Sequence, residues 1–138
     1  MTESLPTKLG DVLFRAVEQN PSIVLITDLQ GIVEYVNPEC CRATGYSREE
    51  LVGNNSSMLK SGEMSSANYR DLWHRLASGE DWRGEFHNRR KNGEMYWESA
   101  IISPVRNAQG AVEHYLKVAE DVTIQRTLES ELRAIRER

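Results

Sequence analysis

Two polar side chains, Asn88 and Glu98, occur in segments whose other residues favour β-strands. Side chains on one face of a strand recur at every second residue, so Asn88 shares a face with Phe86, and Glu98 shares one with Ala100 and Ile102. A buried amide or carboxylate without a hydrogen-bonding partner is costly, so we expect both groups to have partners. A carboxylate in such a position can also respond to a nearby change of charge by taking up a proton or changing rotamer.

These two segments form the arms of a predicted β-hairpin. Between them lies Asn92-Gly93, a dipeptide that tolerates the positive φ angles of a type I′ turn. The first arm is predicted over residues 82–90 and the second over residues 95–105. The hairpin is therefore the element that must position Asn88 and Glu98.

The remaining segments are predicted from their hydrophobic spacing and from the Pro, Gly and capping residues that bound them. The predicted elements are a helix over residues 8–20, strands over 22–27 and 32–36, short helices over 38–44 and from 47, a helix over 65–78, and a strand over 111–123. The order of these predicted helices and strands is that of an α+β domain.

An amphipathic helix is predicted after residue 123. Ile124, Leu128, Leu132 and Ile135 follow one another at spacings of four, four and three, with polar and charged residues between them. This pattern is typical of the start of a coiled coil. We expect the chain to be the sensor part of a longer protein.

The helix predicted over residues 8–20 has two open interpretations. It is either a cap packed on its own domain or a dimer contact.

The composition excludes several classes of protein. A chain of 138 residues is long enough for a single core, and a net charge of −4 does not suggest nucleic-acid binding. No apolar run approaches the roughly 20 residues of a membrane span, so a cytoplasmic location is expected. Cys40 and Cys41 are adjacent and are interpreted as small core residues, without a disulfide or a metal site. No nucleophile–base pair or phosphate-binding glycine loop is present, so we do not predict an enzyme.

Two runs carry a resemblance to a known family. The run NRRKNGEMYW, which begins at Asn88, resembles the last long hairpin of PAS domains, and the run NPECCRATGY, which begins at Asn37, resembles an earlier stretch of the same family. The similarity extends over about residues 14–123 and is strongest to the flavin-binding redox-sensor subgroup of nitrogen-fixation regulators and aerotaxis receptors. It implies a PAS fold, with a five-stranded antiparallel sheet flanked by short helices. The implied units are an N-terminal cap helix (1–20), the sensor domain (21–123) and a linker helix (124–138).

The resemblance also implies a flavin site, with FAD preferred to FMN. Asn88 matches the family's asparagine that hydrogen-bonds the pyrimidine edge of the ring. Trp73 is expected to contact the cofactor, Trp82 to belong to the core, and Arg70 or Arg75 to pair with a diphosphate. The full set of implied cofactor-binding residues is Asn55, Ser56, Arg70, Trp73, Asn88, Glu98, Ala100, Ile102, Lys117 and Ala119.

Several positions depart from the light-sensing branch of the family. Ser56 stands where those proteins have the cysteine that forms a flavin adduct, and a serine without an activating base is a poor nucleophile, so no adduct is expected. Ala119 replaces their glutamine. Lys117 occupies a position that is usually small, where it either crowds the cofactor or places a positive charge beside it. The rival cofactor is heme, for which His74 is the only candidate ligand in the expected helix.

The predicted function is a sensory PAS domain that binds FAD and signals redox state or oxygen to a C-terminal output domain, such as a kinase, cyclase or transducer, through a dimeric coiled-coil linker. The alternative is a cofactor-free PAS module used for dimerisation or for binding a small ligand. The run Asp121-Val122-Thr123 resembles the junction that couples the PAS core to its linker.

Overall fold

A computed structural model describes residues 7–62 and 64–137, so the first six residues of the predicted N-terminal unit and the last residue of the predicted linker lie outside it. Five antiparallel strands form one sheet in the order β2-β1-β5-β4-β3. The strands are β1 (Ile23–Thr27), β2 (Val33–Val36), β3 (Trp82–Arg89), β4 (Met95–Arg106) and β5 (Val112–Asp121). The helices are α1 (Thr7–Glu18), α2 (Pro38–Thr44), α3 (Arg48–Leu51), α4 (Ser66–Ala77) and α5 (Thr123–Arg136), and a 3-10 helix spans Ser56–Leu59.

The strand register places the predicted polar residues on one face of the sheet. Phe86 pairs with Glu98 across β3 and β4, and Ile102 pairs with Lys117 across β4 and β5. Lys117 in turn pairs with Leu25 of β1. This inner face carries most of the buried core, and α2, the 3-10 helix and α4 contribute apolar side chains to the same cluster.

The β3–β4 turn differs from the type I′ prediction. The amide of Gly93 donates to the carbonyl of Arg90, the amide of Arg90 donates to the carbonyl of Glu94, and Gly93 has a φ of 91°. Asn92 does not have a positive φ, which a type I′ turn would require. The loop is instead a type I turn followed by a left-handed glycine, so the type I′ prediction is wrong.

Capping residues fix the short helices, as predicted. The side chain of Asn37 accepts from the amide of Cys40 at the start of α2, and Gly45 ends that helix with a φ of 80°. Ser47 and Glu50 form a reciprocal capping box on α3. A side-chain oxygen that accepts an end amide replaces a hydrogen bond that the helix itself cannot make, which is why four-residue and seven-residue helices persist here.

The terminal helices leave apolar side chains exposed to solvent. On α5 these are Ile124, Leu128, Leu132 and Ile135, and on α1 they are Leu9, Val12, Leu13 and Phe14. The first turns of α5 nevertheless contact the outer face of the sheet, where the guanidinium of Arg126 lies 3.8 Å from the ring centre of Trp97. None of the described helices is long and apolar enough to cross a membrane.

Candidate functional site

A cavity opens between the inner face of the sheet, α4 and the 3-10 helix. It encloses about 110 Å³ and is partly open to solvent. This volume is below the roughly 300–1,000 Å³ that is usual for small-molecule and cofactor sites, so a ligand of cofactor size also needs the space that adjoins solvent. Its lining consists of aliphatic and aromatic side chains with a few polar groups: Leu25, Thr27, Gly31, Ser56, Leu59, Lys60, Tyr69, Leu72, Trp73, Leu76, Phe86, Asn88, Ile102, Tyr115 and Lys117.

Asn88 supplies the buried amide of this cavity. Its side chain is 5% exposed, and it hydrogen-bonds the hydroxyl of Tyr96, the residue directly opposite it in the hairpin. An asparagine amide has two donor hydrogens and an acceptor oxygen with two lone pairs, so one contact leaves most of this capacity available. The remaining capacity suits a ligand with a mixed donor and acceptor edge.

Lys117 and Glu98 form an ion pair in the interior. The Nζ of Lys117 lies 2.6 Å from Oε1 of Glu98, and the lysine side chain is 12% exposed while the glutamate is fully buried. The second carboxylate oxygen accepts a hydrogen bond from the Tyr96 hydroxyl at 3.4 Å. The pair is oriented, because Lys117 lines the cavity and Glu98 lies outside its lining.

Tyr96 joins the amide to the ion pair. Burial raises the pKa of its phenol, and the nearby Glu98 carboxylate raises it further. The hydroxyl therefore keeps its proton at neutral pH and can donate to the carboxylate. Its ring also lies under the guanidinium of Arg90, 4.4 Å from ring centre to the guanidinium carbon.

The Arg90 guanidinium connects this cluster to the start of α5. It donates to Oδ2 of Asp121 at 2.8 Å, and Oδ1 of Asp121 accepts from the amide and the hydroxyl of Thr123 at 3.0 and 2.6 Å. Burial alone would raise the pKa of the Asp121 carboxyl, but the hydrogen bonds from Thr123 and Arg90 outweigh burial and hold the pKa below its ordinary value. Asp121 is therefore an anion that ties the loop after β3 to the start of α5.

Aromatic and basic side chains surround the opening of the cavity. Trp73 of α4 is 46% exposed and meets Tyr115 edge-on, with 6.1 Å between the ring centres. The ammonium of Lys60 lies 4.0 Å from the ring centre of Tyr69. Half-exposed indoles are uncommon as core anchors, whereas an indole at a cavity wall can offer its face to a planar ligand.

The ten residues predicted from the sequence do not all reach this cavity. Ser56, Trp73, Asn88, Ile102 and Lys117 belong to its lining. Outside the lining lie five others: Asn55, Arg70, Glu98, Ala100 and Ala119.

Each of those five has another position. Glu98 is fully buried and pairs with Lys117. Asn55 caps the 3-10 helix, accepting from the amide of Ser57. Arg70 lies on the exposed surface of α4. Ala100 and Ala119 are buried and face each other across β4 and β5.

Some lining residues were missed by sequence reasoning. Lys60 follows a 3-10 helix, where no periodicity marks the direction of a side chain. Leu25 and Thr27, by contrast, carry a usable signal, since both alternate with outward residues on the predicted strand. Tyr115 carries the same signal, because it lies two residues before Lys117.

The positions of the relevant residues do not support heme binding, a reactive thiol or a metal site in the described part of the chain. His74 is on the exposed side of α4 and does not line the cavity. Cys40 is fully buried, and burial raises the pKa of its thiol to about 12, so the reactive thiolate is scarce at neutral pH. Within the described part of the chain, no group of three His, Cys, Asp or Glu residues could hold a metal ion.

Comparison with known sequences decides the family. The family profile described as "PAS domain" matches residues 21–123. The chain belongs to the PAS domain family. The predicted membership of the PAS family is thereby confirmed. The predicted fold is confirmed by the solved "RNA-binding Light-Oxygen-Voltage Receptor", which has a TM-score of 0.84 at 26% identity over 99% of this chain and 39% of that one.

The curated relatives of this PAS domain are regulators and receptors. The nitrogen fixation regulatory protein of Klebsiella oxytoca is 37% identical over 122 residues, which is 88% of this chain and 25% of that protein. The aerotaxis receptor of Escherichia coli (strain K12) is 32% identical over 102 residues, which is 74% of this chain and 20% of that protein. The chain thus spans about a quarter or less of these relatives.

Proposed function

We propose that this PAS domain binds FAD in the cavity beside β3 and signals the redox state of the flavin, or oxygen, to a C-terminal output domain. The observation that carries the proposal is the buried Asn88 amide on the wall of a mostly apolar cavity that opens to solvent. The residues present fit a flavin, because a flat ring needs apolar walls and its pyrimidine edge needs a group that both donates and accepts.

Four residues are assigned to holding the cofactor. Asn88 takes the pyrimidine edge of the ring, while Trp73 and Tyr115 supply aromatic surface near the opening. Lys60 is better placed than Arg70 to meet a phosphate, because Lys60 belongs to the cavity lining and Arg70 does not. A lysine ammonium is a mobile point charge, which suits a phosphate group at a solvent-exposed mouth.

When bound, a flavin supplies a ring that accepts electrons and protons. The protein responds to that change of charge through a series of side-chain contacts. Lys117 faces the cavity and holds Glu98, and Glu98 accepts from Tyr96. Tyr96 lies under Arg90, whose other partner is Asp121 at the start of α5. A shift of Lys117 toward or away from the ring therefore alters the contacts that fix the first turn of α5.

The exposed apolar stripe of α5 is the proposed output. We infer that Ile124, Leu128, Leu132 and Ile135 pair with the same residues of a second copy, with α1 alongside. A change at the first turn then shifts the population between two dimer arrangements. The domain is proposed to act in the cytoplasm, without catalytic activity, upstream of a kinase, cyclase or transducer domain.

An absorbance spectrum of the protein as isolated tests the proposal. A yellow protein with flavin bands, and FAD in the mass spectrum of what is released on denaturation, supports it. A Soret band would identify heme. A colourless protein that does not take up added FAD would support the alternative, a cofactor-free PAS module. The presence of Lys117 in the cavity lining favours that alternative.

Asn88→Ala sharpens that test. A buried ring would lose hydrogen bonds together worth roughly 1 kcal/mol or more, so the dissociation constant for flavin should rise at least about fivefold and the flavin content after gel filtration should fall. Asn68→Ala, which changes an exposed asparagine of α4, is the matched control and should keep its flavin. Equal flavin content in the two variants would show that Asn88 does not bind the flavin.

A further inference from the structure

The Lys117–Glu98 pair has its cationic end toward the cavity and its anionic end away from it. Lys117 belongs to the cavity lining, and its ammonium lies 5.7 Å from the ring centre of Phe86, another lining residue. Glu98 has no exposed surface and lies behind the lysine. A ligand in the cavity therefore meets the ammonium directly, while the carboxylate determines how much of the positive charge remains uncompensated.

We propose that Lys117 and Glu98 together determine which charge state of the ligand the cavity favours. Lys117 donates a hydrogen bond to an acceptor or anionic edge of the bound ring, and Glu98 limits the strength of that preference. This inference rests on the proposed function, because it takes the ligand to be a flavin. An ammonium alone would favour the anionic ring strongly, whereas the intact pair is neutral overall and favours it weakly.

The charge balance gives the two partners opposite effects. Two-electron reduction of a flavin with uptake of one proton leaves a negative charge on the ring. Replacing Glu98 by glutamine removes the compensating anion, so the reduced form is stabilised and the midpoint potential rises. Replacing Lys117 by methionine removes the cation that faces the ring, so the anionic reduced form loses its stabilisation and the potential falls.

The test measures the midpoint potential of the FAD-loaded protein, reduced with xanthine and xanthine oxidase beside a reference dye. Glu98→Gln should shift the oxidised-to-reduced equilibrium about tenfold toward reduction, which is about +30 mV for a two-electron couple. Lys117→Met should shift it in the opposite direction. The double variant should lie between the two. Arg70→Met removes a cation outside the cavity lining and should leave the potential unchanged.

Shifts of opposite sign support the inference, since a merely structural loss would not reverse sign with the charge removed. Shifts of the same sign, or none, overturn it while the flavin-binding proposal stands. A wild-type protein that takes up no FAD overturns both. Should Lys117→Met fail to fold, the nearly isosteric Glu98→Gln variant decides alone: a raised potential supports the inference, and an unchanged or lowered one refutes it.

Discussion

Asp121→Asn should loosen the junction between the sheet and α5, because this carboxylate joins three partners at that point. It accepts from the guanidinium of Arg90 at 2.8 Å and from both the amide and the hydroxyl of Thr123. An asparagine keeps one acceptor oxygen but loses the charge. Removing a charged acceptor costs about 1.5–3 kcal/mol in a buried setting.

Solvent screening reduces that figure here. The side chains of Asp121 and Arg90 are 29% and 18% exposed, so we expect a loss of about 1–2 kcal/mol in the free energy of unfolding. For a chain of this size, that corresponds to a fall of roughly 3–8 °C in Tm. Urea unfolding followed by circular dichroism measures the free energy directly.

The pH dependence identifies the cause. The pKa of Asp121 is held below its ordinary value in the folded protein, so its charge contributes stability above the unfolded value of about 3.9. That contribution is lost as the pH falls through the lower, folded value. The variant should therefore be less stable at pH 7, and the difference should shrink steadily below about pH 4.

Two further measurements complete the test. Hydrogen exchange should show faster exchange in the first turns of α5, with little change in β1. Glu129→Gln, which neutralises an exposed carboxylate of the same helix, is the control and should stay within about 0.5 kcal/mol of the parent. A loss that is the same at pH 7 and pH 3 would refute the electrostatic reasoning.

Three other outcomes are expected of the FAD-loaded protein. Trp73→Ala should lower flavin retention and alter the flavin bands, and an unchanged spectrum would return this tryptophan to a structural role. Lys60→Met should weaken FAD binding about tenfold if its ammonium meets a phosphate, with Arg70→Met as the matched control, and equal affinities measured by flavin fluorescence would contradict the assignment. Blue light should produce no adduct, since Ser56 lacks the thiol, and a stable species absorbing only at short wavelength would overturn that expectation.

The elements could be predicted because their signals are local. Asn37 and Pro38 start α2 and Gly45 ends it, as the sequence suggested, since caps and helix ends depend on neighbours within four residues. The β3–β4 turn shows the limit of such signals. Asn-Gly suits a type I′ turn, but it equally suits a type I turn whose next residue is a left-handed glycine.

The same loop recurs in the other two hairpins. Gly31 and Gly110 both donate to the carbonyl three residues earlier, and Asp28 and Asn107 close their loops with side-chain hydrogen bonds to amides. All three loops have an acceptor side chain before or within the turn and a glycine at its end. A comparison among the three would have favoured the observed turn over type I′.

The partners within the site were harder to predict because they depend on register. Asn88 and Glu98 were expected to need partners, but 19 residues separate Glu98 from Lys117 along the chain. Their contact requires β4 and β5 to pair so that Lys117 lies opposite Ile102. A slip of one residue would move Lys117 to the outer face. Sequence spacing alone cannot exclude that slip.

The register also explains why polar residues collect at one end of an otherwise apolar face. Glu98 is paired across the strands with Asp121, and a second acid so close would repel it unless each had its own cation. Lys117 compensates Glu98 on the cavity side, and Arg90 compensates Asp121 on the helix side. Removal of either cation therefore leaves two neighbouring carboxylates with one counterion, so a ligand that draws Lys117 away changes the charge balance at the start of α5 without touching it.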